Sequence, residues 1–292
     1  MGCGESVATA QDPKVFSQVD DRAISKLPET FEKQEFHDAR SHLQMSESLT
    51  LLRSIARDLT KKPPLTSVPA TLDKACFICC NTYTVPKYTL GVGPTNDAIT
   101  IAANHKQRGY QVFFIYNPTP REFLDFLPLF LSRTKKELTV YYTGNGALKT
   151  FSNADNAEQD AMVFDNGSIK CADLLNVLQA NKNEKVRILL LSDACKSGPV
   201  WDIQSAVTRE MHLSPNIIAI SAAKDQKEDS KNLIGQNGQG LFTHFFCKAV
   251  AQNKVIPPNE LEQQLNQNLA KFRQHIVCET TDQALLGKPL FA

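Results

Sequence analysis

Apolar runs that end in small residues, separated by stretches of helical character, constrain this chain more than any other feature. ACFICC (Ala75 to Cys80), QVFFIY (Gln111 to Tyr116), LTVYYTG (Leu138 to Gly144) and RILLLSDA (Arg187 to Ala194) read as buried strands, being near-continuous in β-branched, aliphatic and aromatic residues. The spacing predicts strands over 75–84, 110–116, 137–143, 186–192 and 216–221. Between them, Thr95 is expected to cap a helix over 96–108 stopped by Gly109, and Thr119 a helix reaching Ser132. FDNGSIK (Phe164 to Lys170) predicts a tight hairpin with Asn166-Gly167 as its turn, and a helix follows over 172–180. Strands alternating with helices imply an α/β domain with a mostly parallel sheet covered on both faces. In such sheets the site lies beyond the carboxyl ends of the strands.

Two strand ends carry chemistry. Cys195 closes ILLLSDAC and Asn145 closes VYYTGN, so both are candidates to line one site. A thiol nucleophile needs a neighbouring base or a lowered pKa. Asn145 is an amide and cannot take a proton. Lys196 adjoins Cys195, but neighbours along a strand point apart. Of the six histidines, His37 and His42 lie in the N-terminal tail and His105 in a helix. His212, His244 and His275 read as surface or packing residues, with His212 the least remote substitute base.

Bulk properties narrow the classes. The net charge of +1, without a dense basic cluster, gives no electrostatic case for nucleic acid. No apolar run approaches the ~18 residues that span a bilayer, and the N-terminus lacks the apolar stretch of a secretory signal. The eight cysteines are therefore expected to be mostly reduced. Cys76, Cys79 and Cys80 would alternate between the two faces of one strand, which favours structural burial over a metal site.

The chain opens MGCGES. Gly2 with Ser6 fits the N-myristoylation pattern, and Cys3 is placed for palmitoylation. Two acyl chains would give a stable anchor where one gives marginal binding, which predicts a cytoplasmic, membrane-tethered protein with a cytosolic pool. Apolar residues recur at helical spacing within 29–61, and KKPPLTSVPA (Lys61 to Ala70) breaks the pattern as a linker. Residues 1–70 thus read as an acylated extension whose helix either docks or acts as a spacer, and 71–292 as the main domain.

These segments carry a family resemblance. YYTGNGA is similar to the Y-[ST/A]-G-H-G signature of caspases and metacaspases, and SDACKSG resembles their D-x-C-x-S-G motif. VGPTNDA, SAAKDQ and GLFTHFF resemble further metacaspase segments in the same order. The resemblance implies a caspase-like fold with a mostly parallel six-stranded sheet, Cys195 as the nucleophile, and Asn145 in place of the dyad histidine. It places the oxyanion amide near Gly146 and a specificity pocket for Arg or Lys at Asp97, Thr143 and Asp193. It also implies a calcium site, to which Asp160 and Asp202 correspond. The paired acids expected after Ile169 are Cys171 and Ala172 here, so calcium is not expected to bind tightly. The segment 224–239 corresponds to a loop that is either plain or cut by another protease. The expectation is a pseudopeptidase that binds basic segments or pairs with an active relative. The alternatives are an active endopeptidase cleaving after Arg or Lys, or a protein in which Cys195 serves as a redox-sensitive thiol.

Overall fold

The computed structural model describes residues 39–84, 89–146, 160–196, 199–224 and 240–291. Gly2, Cys3 and the loop residues 225–239 lie outside them. In chain order the elements are α1 (Ala39–Ile55), β1 (Arg57–Asp58), α2 (Pro64–Ser67), β2 (Leu72–Cys80), α3 (Gly93–Gln107), β3 (Gln111–Tyr116), α4 (Pro120–Arg133) and β4 (Thr134–Asn145). There follow β5 (Asp160–Phe164), β6 (Gly167–Lys170), α5 (Cys171–Ala180), β7 (Arg187–Lys196), α6 (Ile203–Thr208), β8 (Ile217–Lys224), α7 (Leu241–Gln252), α8 (Pro258–Leu269) and β9 (Gln274–Thr280).

One sheet of seven strands, ordered β1-β3-β2-β4-β7-β8-β9, forms the centre. Every neighbouring pair is parallel except β8 and β9. The six strands expected gain a seventh because the two-residue β1 pairs with Phe113 and Phe114 of β3. The strands are near-continuously apolar because both faces are covered. One face packs Ile78, Tyr141, Leu191, Ile220, Phe242 and Phe246, and the other Phe77, Phe130, Val140, Leu190 and Trp201. Strand alternation sends Cys76 and Cys80 to the first face and Cys79 to the second, all fully buried, as structural cysteines require.

Local signals account for most boundaries. Thr119 and Glu122 form a reciprocal capping box at the start of α4. Gly109 ends α3 at φ +81°, in the left-handed region where a Cβ is penalised. β5 and β6 form the expected antiparallel hairpin about Asn166-Gly167. Thr95 is not the cap of α3: the helix begins at Gly93, with Pro94 in its first turn and Val92 before it. Thr95 lies inside the helix and donates instead to Met45 Sδ at 3.3 Å.

That contact belongs to the docking of α1. Ser48 also donates to Asn96 Oδ1 at 3.2 Å, and Leu52 and Ala56 enter the core beside α3. The N-terminal helix therefore packs on the main domain, with its middle turns beside the first turn of α3, at the carboxyl end of the sheet.

Candidate active site

β4 and β7 run side by side in unbroken parallel register from Glu137↔Arg187 to Asn145↔Cys195. The two residues singled out in sequence are thus direct neighbours on adjacent strands, roughly 5 Å apart along the backbone. Asp193 pairs with Thr143 two residues earlier, and Gly146 follows at the end of β4, buried. Beyond Ser192 the pairing of β7 with β8 shifts register, while Ser192 Oγ donates to Ser221 Oγ at 2.8 Å. The cysteine end of β7 therefore bulges from β8 just past a pinned residue, and pairing resumes at Lys196↔Ala223.

Asp97, from the second turn of α3, meets this edge. Its Oδ2 accepts from Thr143 Oγ1 at 3.5 Å and its Oδ1 from the Gly240 amide at 2.8 Å. Asp193 Oδ2 accepts from both the amide and the hydroxyl of Thr243, at 3.1 and 2.6 Å. Since Thr243 gives its only proton to Asp193, it must accept one from Tyr141 Oη, 2.6 Å away. Both carboxylates thus sit at the start of α7 and take its unpaired amides, where the helix dipole favours negative charge.

Gly240 is required here by space. At φ −63° it is not strained, but a Cβ would collide with the Asp193 carboxylate and lie 2.9 Å from Asp97 Oδ2. Burial pushes the Asp97 carboxyl well above the usual carboxylate range, reinforced by the neighbouring Asp193. Asp193 is raised as well, again by burial first. Asp193 is half-buried, and among the described residues its Oδ1 accepts no hydrogen bond. Two carboxyl groups thus share one corner of the site, with no described basic side chain between them.

The histidines separate cleanly. His105 is buried, with Nδ1 2.9 Å from the Ile101 carbonyl and Nε2 3.0 Å from Thr139 Oγ1. Thr139 is six residues before Asn145 on β4, so His105 lies about 20 Å from position 145. His212 is exposed on the segment entering β8 at the amino end of the sheet, and cannot reach Cys195. Two histidines set aside in sequence do stand at the carboxyl end. His244 is in the first turn of α7, and His275 pairs with Ala223, which itself pairs with Lys196.

The calcium correspondence is poorly matched. Asp160 opens β5, where its backbone pairs with Lys170, and Asp202 precedes α6 at φ +48°. Cys171 stands where an acid is needed, its Sγ 3.7 Å from the Val200 carbonyl. A soft thiol does not fit a hard, oxygen-seeking cation. Among the described residues no three His, Cys, Asp or Glu side chains come together, and no helix is long and apolar enough to cross a membrane.

Sequence reading missed Tyr83, Tyr142, Thr243 and Gly240. Gly240 and Thr243 stood in view within GLFTHFF, but only the folded chain brings them to Asp97 and Asp193.

Comparisons with known proteins agree with this architecture. The family model described as caspase domain, Peptidase C14, matches residues 73–286. A solved structure of a protein from Geobacter sulfurreducens superposes with a TM-score of 0.54 at 15% identity, covering 75% of this chain and 98% of that one. Caspase-1 from Spodoptera frugiperda superposes with a TM-score of 0.49 at 12% identity, covering 74% and 90%. A sequence search of curated proteins gives no match.

Proposed function

Because the chain belongs to the caspase-domain family of cysteine peptidases, we propose that it is a catalytically impaired member that captures basic protein segments without turning them over. The observation that carries this reading is the register pair Asn145↔Cys195, with Thr143 and Asp193 two pairs behind it. A carboxamide at position 145 has no titration near neutral pH, whereas the imidazole it replaces accepts and returns a proton there. An amide cannot take a proton from a thiol, and free cysteine is only a few per cent thiolate at neutral pH. The departing amine also lacks a proton donor. The Asp97–Asp193 pair supports the binding half of the reading, since two adjacent carboxylates complement an Arg or Lys side chain. The protein would act from the cytoplasmic face of a membrane, anchored through Gly2 and Cys3, by occupying substrates or by pairing with an active relative.

The decisive experiment restores the base. Asn145→His should raise hydrolysis of Arg and Lys peptide reporters by about 10²- to 10⁴-fold, and adding Cys195→Ala should remove the gain. The unaltered protein should bind the same basic peptides, measured by calorimetry, and Asp97→Ala should abolish that binding. Cys195-dependent cleavage by the unaltered protein at the rate of the variant would sink the proposal.

A further inference from the structure

The backbone of residue 145 is closed into a ring of four hydrogen bonds through two phenols. The Asn145 amide donates to Tyr83 Oη at 2.5 Å, and the Tyr83 hydroxyl donates on to the Val163 carbonyl at 2.8 Å. On the other side, the Val163 amide donates to Tyr142 Oη at 3.0 Å. Tyr142 Oη lies 2.8 Å from the Asn145 carbonyl and 2.9 Å from the Val163 carbonyl. Each phenol has a single proton to give. With Tyr83 serving Val163, the assignment that satisfies all four backbone groups has Tyr142 donating to Asn145. β4 and β5 are therefore joined through two inserted hydroxyls, where neighbouring strands would exchange amide bonds directly.

This arrangement is held against local preference. Tyr83 has φ +65°, a conformation disfavoured for an aromatic residue and concentrated at functional sites. Asn117, itself at φ +44°, imposes it: its Oδ1 accepts from the Thr82 amide at 2.7 Å and the Tyr83 amide at 3.3 Å. Gly144 completes the fit, because a Cβ there would stand 2.6 Å from Tyr83 Oη and 2.9 Å from Tyr142 Oη. The ring is buried at both phenols and at Val163, with Tyr83 5%, Tyr142 0% and Val163 7% exposed, and half-buried at Asn145, so an unmade bond in it costs more than one at the surface.

We infer that Tyr83 and Tyr142 are positioning residues whose hydroxyls fix the backbone of residue 145 against the cysteine end of β7. The inference rests on positions 145 and 195 forming the site, and it means the frame for a base remains in place although the base is gone. It also makes Asn117 part of the site's support, through Tyr83.

Tyr83→Phe and Tyr142→Phe remove one oxygen each and keep the ring. In the otherwise unaltered protein, each should speed hydrogen exchange of the residue-145 amide at least tenfold while the Val140 amide, in the middle of the same strand, stays unchanged. In the Asn145→His background, Tyr83→Phe should lower kcat by about 10²-fold with KM held within about twofold, as misplacement of a catalytic group by about 1 Å does. The pH profile of Cys195 alkylation should shift with it, which loss of stability alone would not produce. Unchanged exchange at residue 145 together with an unchanged alkylation profile would overturn the inference. If Asn145→His itself gives no hydrolysis, the proposed function fails, while the exchange measurement still decides the role of the phenols, because it needs no turnover.

Discussion

The two ends of the central sheet both bury polar side chains, by opposite means. At the amino end, Glu137 of β4 meets Lys74 Nζ and Tyr110 Oη, each at 2.5 Å, and His105 has a partner on both ring nitrogens. Glu137 thus has an opposite charge and His105 a partner for each ring nitrogen, so this network serves stability, although the buried Thr134 hydroxyl at the start of β4 meets no partner among the described residues. At the carboxyl end, Asp97 and Asp193 lie together, and among the described residues their hydrogen-bond partners are amides and hydroxyls. Tyr83 is held there in a disfavoured backbone conformation. Burying like charges lowers stability unless a proton or a cation joins them. The contrast teaches that burial of polar groups is not in itself a mark of function. Unbalanced charge and backbone strain at the ends of the strands are better marks.

Three measurements would break or sharpen that contrast, beginning with the largest effect. Burial depresses His105 to a pKa of about 4, against 6.5 in an unfolded chain. Between these values the unfolded chain takes up a proton that the folded one refuses, so stability falls as pH drops from about 6.5 to 4. The total is about 3 kcal/mol at 1.36 kcal/mol per pKa unit. His105→Gln should lose that part of the pH dependence, seen as a smaller difference in urea midpoint between pH 7 and pH 4.5. An unchanged difference would show that the amino end is not the satisfied network described.

Gly240→Ala comes next. The added methyl must displace the Asp193 carboxylate or the start of α7, at about 1–3 kcal/mol, the usual range for overpacking. Denaturant unfolding should register the loss, and basic-peptide affinity should fall with it. The smallest effect has the opposite sign. Asp97→Asn keeps an acceptor for the Gly240 amide and removes a buried charge, so it should stabilise the protein by about 1 kcal/mol near pH 8, the scale of a relieved desolvation penalty. The sign follows from the raised pKa. The folded protein holds the Asp97 proton more tightly than the unfolded chain, so that contribution is complete at low pH and lost as pH rises through the folded value. The advantage of the variant should therefore grow with pH. A variant less stable than the parent at pH 8 would contradict the charge imbalance.

Much of the fold was legible because it is written in short-range patterns. Apolar runs gave the strands, Thr119 gave the start of α4, and Asn166-Gly167 gave the hairpin. The start of α3 was misplaced because Thr95 has the right chemistry for a cap but spends its hydroxyl on Met45, which arrives from a different part of the chain. β1 escaped notice because two residues carry no periodicity. At the site, Cys195, Asn145, Asp97 and Asp193 stood out by residue type at strand and helix ends. Tyr83, Tyr142 and Thr243 did not, since a tyrosine or threonine in an apolar stretch gives no sign of which atom its hydroxyl will meet.

The sequence by itself determined the α/β alternation, the family resemblance and the absence of a titratable side chain at position 145, because each depends on residue identity and near-neighbour order alone. Tertiary structure decided that Asn145 lies beside Cys195 in register, that α7 sets its first amides on the two carboxylates, and that two phenols lock residue 145 to β5. These are contacts between residues tens of positions apart in the chain. Their partners are selected by strand order and by the requirement that buried hydrogen-bonding groups be satisfied, and neither condition acts until the sheet has formed.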